Sequence, residues 1–337
     1  MAADPTALVD GFGRVHRDLR ISVTDRCNFR CTYCMPEEGM TWIDRSEVLT
    51  YEEIERVARI CVEHFNVNGI RLTGGEPTVR AHLPILIQKL SALRLADGST
   101  PDLALTTNGS TLRNVAQELR DAGLQRINVS LDSLRADRFL AMTRRDELAN
   151  VLEGIAEAQT AGFAPVKINA VIERGANDDE ILDLAKYARD NNLEMRFIEF
   201  MPLDASNEWE RNKVVTQDEI VSTINAEFPL TPVDQRGAAP AQRWSYNDGK
   251  GFVGVIPSVS HPFCADCDRV RLTSDGQFRT CLFATDEFDI RALLRNGASD
   301  DDISELIRTA VGAKWAGHQI NQVNFIRPKR TMSQIGG

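Results

Sequence analysis

The pattern of apolar and polar positions changes period repeatedly over the first part of the chain. Up to about residue 200, short β-branched runs alternate with longer stretches of helical periodicity, which predicts consecutive βα units and a parallel sheet. The predicted strands are 19–23, 70–73, 103–106, 126–131, 166–172 and 194–200. Six strands are two fewer than a closed TIM barrel contains. The pattern therefore predicts an α/β fold built on an incomplete (β/α)6 TIM-type barrel.

The helices between these strands show recognisable starts. Thr50 and Glu53 are spaced as a capping box, and an apolar stripe follows that contains Cys61. A cysteine in such a stripe is predicted to be a small buried hydrophobe, the alternative being a further metal ligand or a reactive thiol. Two more pairs have capping-box spacing and predict later helices: Asn177 with Glu180, and Thr216 with Glu219.

The composition and the hydrophobic pattern of the chain change after residue 227. Residues 228–250 are rich in Pro, Gly and polar residues, which predicts a connection without regular structure. Two strand-like runs follow, GFVGVIP and RVRLT, and residues 301–315 have helical periodicity. We therefore divide the chain into a barrel domain (1–227), a connection (228–250) and a C-terminal domain (251–337), an α+β extension expected to close the barrel mouth.

Composition and charge narrow the possible functions. The 337 residues carry 39 Lys and Arg against 49 Asp and Glu, a net charge of −10 that argues against broad binding of nucleic acid or anionic membranes. A local basic pocket is still compatible with this balance. No apolar stretch approaches the roughly 20 residues of a membrane span, and the first residues do not resemble a secretory signal. We expect a cytoplasmic protein without disulfides.

Six of the seven cysteines form two sets of three. The first set, Cys27, Cys31 and Cys34, has C-x3-C-x2-C spacing directly after the first predicted strand, and the second, Cys264, Cys267 and Cys281, has C-x2-C-x13-C spacing. Each set is predicted to bind metal. A zinc site is disfavoured for the first set, which has no fourth ligand nearby. For the second it is a stronger alternative, because His261 or Asp266 could complete it.

The number of cysteines bears on the type of cluster. An iron–sulfur cube normally takes four Cys ligands, so two complete sets would need eight thiolates, and the chain has seven. With Cys61 predicted inside a helix, each set of three would leave one iron without a protein ligand. An open iron of this kind is able to bind a small molecule.

The motifs resemble those of a known family. The first cysteine set, with Tyr33 just before its last member, is similar to the cluster motif of radical S-adenosylmethionine enzymes, and Gly74-Gly75-Glu76-Pro77 resembles their methionine-binding segment. Within that superfamily the resemblance to the GTP 3′,8-cyclases covers nearly the whole chain. It rests on DLRISVTDRCNFRCTYCMP, RLTGGEPTVR, TTNG, NVSLDS, the second cysteine set with DRVRLT, and the Gly-Gly end.

The resemblance implies a set of cofactors and site residues. The cofactors would be two 4Fe–4S clusters, on the two cysteine sets, and S-adenosylmethionine. S-adenosylmethionine would contact Tyr33, Gly75, Ser130 and Met201. GTP would contact Arg20, Arg71, Thr106, Lys167, Arg269, Val270 and Arg271. Catalytic roles would fall on Arg20, Arg269, Arg271, Gly336 and Gly337, the last two because the Gly-Gly end of the family enters the active site.

The order of the motifs along the chain supports one common site. The carboxyl ends of parallel barrel strands converge on one mouth, and the motifs follow those ends. Thr106 and Asn108 follow the third strand, Ser130 and Asp132 the fourth, and Met201 the sixth. Arg269 and Arg271 alternate along one face of a strand, as expected of two guanidinium groups that bind phosphate. Taken singly, each residue has a structural alternative: turns for the glycines, core packing for Met201 and a solvated face for the arginines.

The family's activity is a radical cyclisation. The resemblance implies a lyase that uses a 5′-deoxyadenosyl radical to abstract hydrogen from C3′ of GTP, forming (8S)-3′,8-cyclo-7,8-dihydroguanosine 5′-triphosphate, the first step of molybdenum cofactor biosynthesis. Its partners would be an electron donor of flavodoxin or ferredoxin type and, downstream, cyclic pyranopterin monophosphate synthase. A homodimer is compatible with the sequence. The alternatives are a peptide-modifying radical enzyme with an auxiliary cluster and a zinc-stabilised binding module without catalysis.

Overall fold

A computed structural model describes residues 7–203, 209–233, 236–322 and 325–336. Its strands are β1 (Asp18–Ser22), β2 (Gly69–Thr73), β3 (Asp102–Thr107), β4 (Arg126–Ser130), β5 (Lys167–Ile172), β6 (Glu194–Glu199), β7 (Leu230–Pro232), β8 (Gln242–Tyr246), β9 (Phe252–Ile256), β10 (Arg269–Leu272), β11 (Gln277–Arg279) and β12 (Phe288–Asp289). Its α-helices are α1 (Tyr51–Arg59), α2 (Leu83–Ser91), α3 (Leu112–Asp121), α4 (Ala136–Thr143), α5 (Leu148–Thr160), α6 (Ile181–Asp190), α7 (Gln217–Glu227), α8 (Ile290–Arg295), α9 (Asp300–Gly312) and α10 (Met332–Ile335).

The strands form one sheet whose centre is the predicted barrel. Its order is β12-β11-β10-β1-β2-β3-β4-β5-β6-β9-β8-β7. Strands β1 to β6 are parallel and adjacent, which confirms the six predicted strands and the incomplete (β/α)6 architecture. The C-terminal part extends the sheet at both edges, because β10 pairs in parallel with β1 and β9 with β6. None of the helices in the described ranges is long and apolar enough to cross a bilayer.

The core lies between the strands and the helices that cover them. Side chains at alternate strand positions, such as Leu19 and Ile21 on β1, are fully buried against the helices. The capping box of Thr50 and Glu53 is present, and α1 continues into a π-helical turn (Ile60–His64). Cys61 in that turn is fully buried, as predicted for a small hydrophobe.

One predicted capping box was wrong, although the helix that it was expected to open is present as α6. Asn177 and Glu180 do not form a capping box. The Asn177 side chain instead donates to the carbonyl oxygens of Asp132 and Val171, and the Glu180 carboxylate accepts from Ser133 and Leu134. These tertiary bonds replace the local ones, and α6 begins at Ile181. By contrast, the box of Thr216 and Glu219 is present at the start of α7.

The stretch 228–250 also differs from the predicted connection. It contains β7 and β8, which pair in an antiparallel hairpin and extend the sheet beyond β9. Its Pro and Gly residues suggested a loop, but edge strands tolerate Pro. The two later predicted strands are confirmed as β9 and β10, and the predicted helix 301–315 as α9 (Asp300–Gly312).

Candidate functional site

One cavity at the carboxyl ends of the barrel strands contains both cysteine sets. Cys27, Cys31 and Cys34 come from the loop after β1, Cys264 and Cys267 from the segment before β10, and Cys281 from the turn after β11. Because β10 lies beside β1, the C-terminal extension faces the barrel motifs across this space. Each half of the chain thus supplies part of one site.

The first cysteine loop folds back on itself. The backbone N–H groups of Cys34 and Met35 both donate to the carbonyl oxygen of Cys31 at 2.9 Å, so Cys31 and Cys34 face the same cavity. The Phe29 N–H lies 3.4 Å from the Cys27 Sγ, and the Asn108 Nδ2 lies 3.9 Å from it. N–H donors of this kind are typical of cysteines that ligate an iron–sulfur cluster.

The glycine-rich segment after β2 fits closely against the cysteine loop. A Cβ added at Gly74 would lie 2.6 Å from the Thr24 carbonyl oxygen, and one at Gly75 would lie 2.4 Å from that of Arg26. Only glycine allows this approach. The buried Glu76 carboxylate then accepts from Thr107 Oγ1 and the Asn108 N–H, both at 2.6 Å. The segment therefore fixes the loops after β1 and β3 as well as its own.

Tyr33 is held in place from the fourth strand end. Its Oη donates to Asp132 Oδ2 at 2.7 Å, while Asp132 Oδ1 accepts from the Val171 N–H at 2.8 Å. Burial raises the pKa of Asp132 to about 6, against the opposing effect of these hydrogen bonds. Ser130, two residues earlier, also lines the cavity. The loops after β1 and β4 thus meet at the hydrogen bond between Tyr33 and Asp132.

Five guanidinium groups face the cavity of this acidic protein: those of Arg20, Arg71, Arg196, Arg269 and Arg271. Burial lowers the pKa of Arg20 and Arg71 to about 10 and that of Arg271 to about 9, so all three remain cationic at neutral pH. The buried Nε atoms of Arg20 and Arg71 have no hydrogen-bond partner in the described structure. Arg20 Nε lies 3.7 Å from Asp18 Oδ1, too far for a hydrogen bond, so both Nε donors are suited to an anionic ligand.

Unpaired acceptors lie beside these donors. Asn128 on β4 and Asn169 on β5 line the cavity, and each has a buried Oδ1 atom without a hydrogen-bond partner in the described residues. Leaving such atoms unpaired costs about 1–3 kcal/mol each unless a ligand supplies the missing donors. A nucleotide fits this requirement, since its phosphates accept hydrogen bonds while its ribose and base also donate them.

Two positive side chains act on the second cysteine loop. Burial opposes ionisation of Cys267, but Arg269 and Lys314 outweigh it and lower the pKa of this thiol to about 7. The guanidinium of Arg269 also lies 4.5 Å from the centre of the Phe263 ring. The Phe283 N–H lies 3.5 Å from the Cys281 Sγ, and a Cβ at Gly317 would lie 3.0 Å from the Cys264 Cβ. The positive charges therefore favour the thiolate of Cys267, the form that binds metal, whereas burial raises the pKa of Cys264.

The two residues predicted as able to complete a zinc site, His261 and Asp266, do not join the second cysteine set in the cavity. Over residues 7–203, 209–233, 236–322 and 325–336, no three His, Cys, Asp or Glu side chains are arranged to hold one metal ion. His261 and Asp266 are exposed, and neither lines the cavity. Three thiols around one cavity, with N–H groups at their sulfurs, suit a group that holds several metal atoms.

The C-terminal tail enters the interior of the barrel. Thr331 and Gln334 form a capping box at the short helix α10, and Gly336 follows with a φ of +81°. The buried Gly336 carbonyl oxygen accepts a 2.8 Å hydrogen bond from Arg271 Nη1. The tail is therefore attached to an arginine of the site. Gly337 lies outside the described residues.

Comparisons with known proteins agree with this arrangement. Residues 21–188 match the Radical SAM superfamily, and residues 193–320 match the Molybdenum Cofactor Synthesis C family. The GTP 3′,8-cyclase of Streptomyces coelicolor is 49% identical over 332 residues, which cover 98% of this chain and 96% of that protein. That of Mycolicibacterium smegmatis is 48% identical, covering 98% of this chain and 92% of that protein. The chain belongs to the GTP 3′,8-cyclase family.

Solved structures show the fold at lower identity. Streptococcus suis SuiB bound to S-adenosylmethionine matches with a TM-score of 0.61 at 12% identity, over 94% of this chain and 77% of that one. The protein anSMEcpe with bound AdoMet gives 0.60 at 15% identity, over 90% and 79%. The radical S-adenosylmethionine fold is thus shared well beyond the GTP 3′,8-cyclases.

Most of the residues predicted from the sequence meet in the cavity of this GTP 3′,8-cyclase family member. The predicted residues that line it are Arg20, Cys27, Cys31, Tyr33, Cys34, Arg71, Gly75, Thr106, Ser130, Met201, Cys264, Cys267, Arg269, Arg271 and Cys281. Lys167 on β5 does not line it and lies near Glu194 and Arg196. Val270 is fully buried in the core on the opposite face of β10 from Arg269 and Arg271.

The sequence prediction missed several cavity residues. Arg196, Asn128 and Asn169 occupy inward positions on β6, β4 and β5, where strand alternation places polar side chains in the lumen. That alternation is a signal the sequence carries. Phe263 and His318 also line the cavity, but they lie in irregular segments where no periodicity points to them.

Proposed function

We propose that this chain converts GTP to (8S)-3′,8-cyclo-7,8-dihydroguanosine 5′-triphosphate in the first step of molybdenum cofactor biosynthesis. One observation carries the proposal: nearly the whole chain aligns with GTP 3′,8-cyclases at about half identity. The two cysteine sets, which open on one cavity, agree with it. The positive side chains between the two sets give an acidic protein a place for a triphosphate.

Two 4Fe–4S clusters are part of the proposal. Cys27, Cys31 and Cys34 would hold the first, and Cys264, Cys267 and Cys281 the second. Together the first cluster and S-adenosylmethionine would supply the one-electron chemistry that removes a hydrogen atom from C3′ of the substrate. Tyr33, Gly75, Ser130 and Met201 would bind S-adenosylmethionine, a role supported by their place in the same cavity as the first cysteine set.

The remaining side chains would bind and orient GTP. Arg20 and Arg71 have unpaired Nε donors for phosphate oxygens, and Arg196 adds charge beside them. Thr106, Lys167, Arg269 and the backbone of Val270 complete the proposed contacts. Fixing base and ribose in one orientation brings C3′ towards C8, an effect of proximity. Arg271 would act beside Arg20, with which it is in register on the adjacent strand, and Gly336 accepts a hydrogen bond from its guanidinium.

The proposal extends to partners and setting. A flavodoxin or ferredoxin type of protein would deliver the electron, and cyclic pyranopterin monophosphate synthase would consume the product. An acidic chain with free cysteines is consistent with a reducing cytoplasm.

An anaerobic turnover assay tests the activity. The protein is reconstituted with iron and sulfide, reduced, and supplied with S-adenosylmethionine together with GTP, ATP or no nucleotide. We expect 5′-deoxyadenosine and a GTP isomer of unchanged mass by mass spectrometry, and no ATP-derived isomer. Deoxyadenosine without any change in GTP would refute the substrate, and its absence from an iron-replete sample would refute the radical chemistry.

A further inference from the structure

A buried lysine lies behind the second cysteine loop. Lys314, two residues after α9, is 4% exposed, and its Nζ donates to the Arg269 carbonyl oxygen at 2.8 Å. The same Nζ lies 3.5 Å from both the Sγ and the carbonyl oxygen of Cys267. Lys314 therefore contacts both Cys267, a proposed ligand of the second cluster, and the backbone of Arg269, a residue proposed to bind GTP.

The N-terminal segment holds this lysine from the other side. His16 is fully buried; its Nδ1 lies 3.4 Å from Lys314 Nζ and its Nε2 lies 3.1 Å from Asp10 Oδ2. Both contacts are satisfied when Nε2–H donates to the carboxylate and Nδ1 accepts from the lysine. Burial and the charge of Lys314 lower the pKa of His16 to about 4, so the imidazole is neutral at pH 7.

Arg14 connects the same segment to the cysteine loop. Its Nε donates to Asp10 Oδ2 at 2.6 Å, and its Nη1 donates to the Cys264 carbonyl oxygen at 2.6 Å. Its Nη2 donates to the carbonyl oxygen of Trp315, the residue after Lys314. An isolated bridge between Val9 and Val15 closes the segment into a turn. Asp10 is thus the common acceptor for two side chains that fix the second cysteine loop.

We propose that Lys314 is a positioning residue that donates a charge-assisted hydrogen bond to the Cys267 sulfur and thereby raises the reduction potential of the second cluster, with Asp10 and His16 holding the lysine in place. Reduction adds negative charge to a cluster, and a cation hydrogen-bonded to a ligating sulfur stabilises that charge. Groups that hydrogen-bond to the ligands of a metal site orient those ligands and tune the electronic properties of the metal. The inference rests on the second cluster of the proposed function.

The test isolates the second cluster. Cys27, Cys31 and Cys34 are replaced by Ser together, and this parent is titrated with reductant while its paramagnetic resonance spectrum is recorded. Three changes are then compared: Lys314→Arg keeps the charge, Lys314→Gln keeps only a neutral donor, and Lys314→Met keeps neither. We expect the parent potential with Arg, a more negative one with Gln and the most negative with Met, with altered g-values and the iron content of the parent.

A matched control and the contrary results make the test decisive. Lys186→Met removes an exposed lysine of α6 that pairs with Asp190, and should leave the potential unchanged. If Lys314→Met loses iron, the comparison of Arg with Gln still separates charge from packing. Equal potentials in those two variants would overturn the proposal, as would loss of iron in Lys314→Arg as well. A parent without cluster iron would instead refute the second cluster itself, a failure of the proposed function.

Discussion

The guanidinium of Arg271 and the carbonyl oxygen of Gly336 are joined by a buried 2.8 Å hydrogen bond. The two residues are 65 positions apart. The bond connects β10, which lies between Cys267 and Cys281 in the sequence, to the C-terminal tail. Gly336 is confined there: an added Cβ would lie 2.7 Å from Thr73 Oγ1 and 2.8 Å from the Ser22 Cβ. Met332 and Ser333 of the same tail line the cavity, so the C-terminal tail forms part of the site wall.

Replacing Gly336 should impair turnover. Gly336→Ala combines a φ of +81° with a clash against β1 and β2, so the tail should leave Arg271. We expect kcat/KM for GTP to fall at least roughly tenfold, or about 1.4 kcal/mol. Gly98→Ala is the matched control, because Gly98 has a φ of +84° in open space. It should lose stability of about 1 kcal/mol and keep full activity. Equal losses of activity in both variants would exclude a specific role for the tail.

Removing one ligand of the second set should separate the two clusters. We expect Cys264→Ser to lose roughly half of the bound iron and all cyclisation, because the first set is untouched. Iron analysis and the anaerobic assay measure these outcomes. Cys61→Ala is the control: burial raises the pKa of this thiol to about 12, and its change should cost about 1 kcal/mol of stability with no loss of iron. Full iron and activity in Cys264→Ser would contradict two clusters.

Arg71 on β2 should contribute more to GTP binding than Arg126 on β4 does. Arg71→Met removes a buried guanidinium whose Nε has no partner, and we expect KM for GTP to rise roughly 10- to 100-fold. Arg126→Met is matched to it, since Arg126 pairs with Asp102 and does not line the cavity. Its KM should change less than about twofold. A similar rise of KM in both variants would mean that the overall positive charge of the barrel, and not a specific contact of Arg71, determines GTP binding.

Lys167 should make GTP binding depend on pH. Burial, reinforced by the charge of Arg196, lowers the pKa of Lys167 to about 8, so the side chain is cationic below that pH and neutral above it. Lys167 does not line the cavity but interacts electrostatically with Arg71 and Arg196, which do, so its attraction to phosphate acts at longer range. This attraction is present at neutral pH and lost as the pH rises through about 8. We expect KM for GTP to rise by up to roughly tenfold between about pH 7 and pH 9. Lys167→Arg keeps its charge and should flatten the profile; an unchanged profile would assign the titration elsewhere.

The barrel and its motifs could be predicted from the sequence because their signals are local. Strands β1 to β6 follow from short apolar runs, and the position of Tyr33 or Gly75 follows from its place after a strand. The hairpin of β7 and β8 could not, because its strands are short and stabilised by pairing with β9. For the same reason Asn177 was assigned to a cap, although it bonds to Asp132 45 positions away.

The residues behind the second cysteine loop could not be predicted from local sequence patterns. Arg14 reaches Cys264 across 250 positions, and Lys314 reaches His16 across 298. Neither residue belongs to a motif with periodic spacing, and each would count as a surface charge by composition alone. Only the packing of the N-terminal turn against the end of α9 reveals them.

The strand order has a consequence for synthesis of the chain. Strand β1 ends at Ser22 and its outer neighbour β10 starts at Arg269, so 247 positions separate two strands that lie side by side. At about 5–20 residues per second, a ribosome needs roughly 12 to 50 s to cover that interval. During this time the edge of β1 has no partner, and the nascent barrel carries an open pairing surface. Chaperone protection of newly made chains should therefore last until β10 emerges.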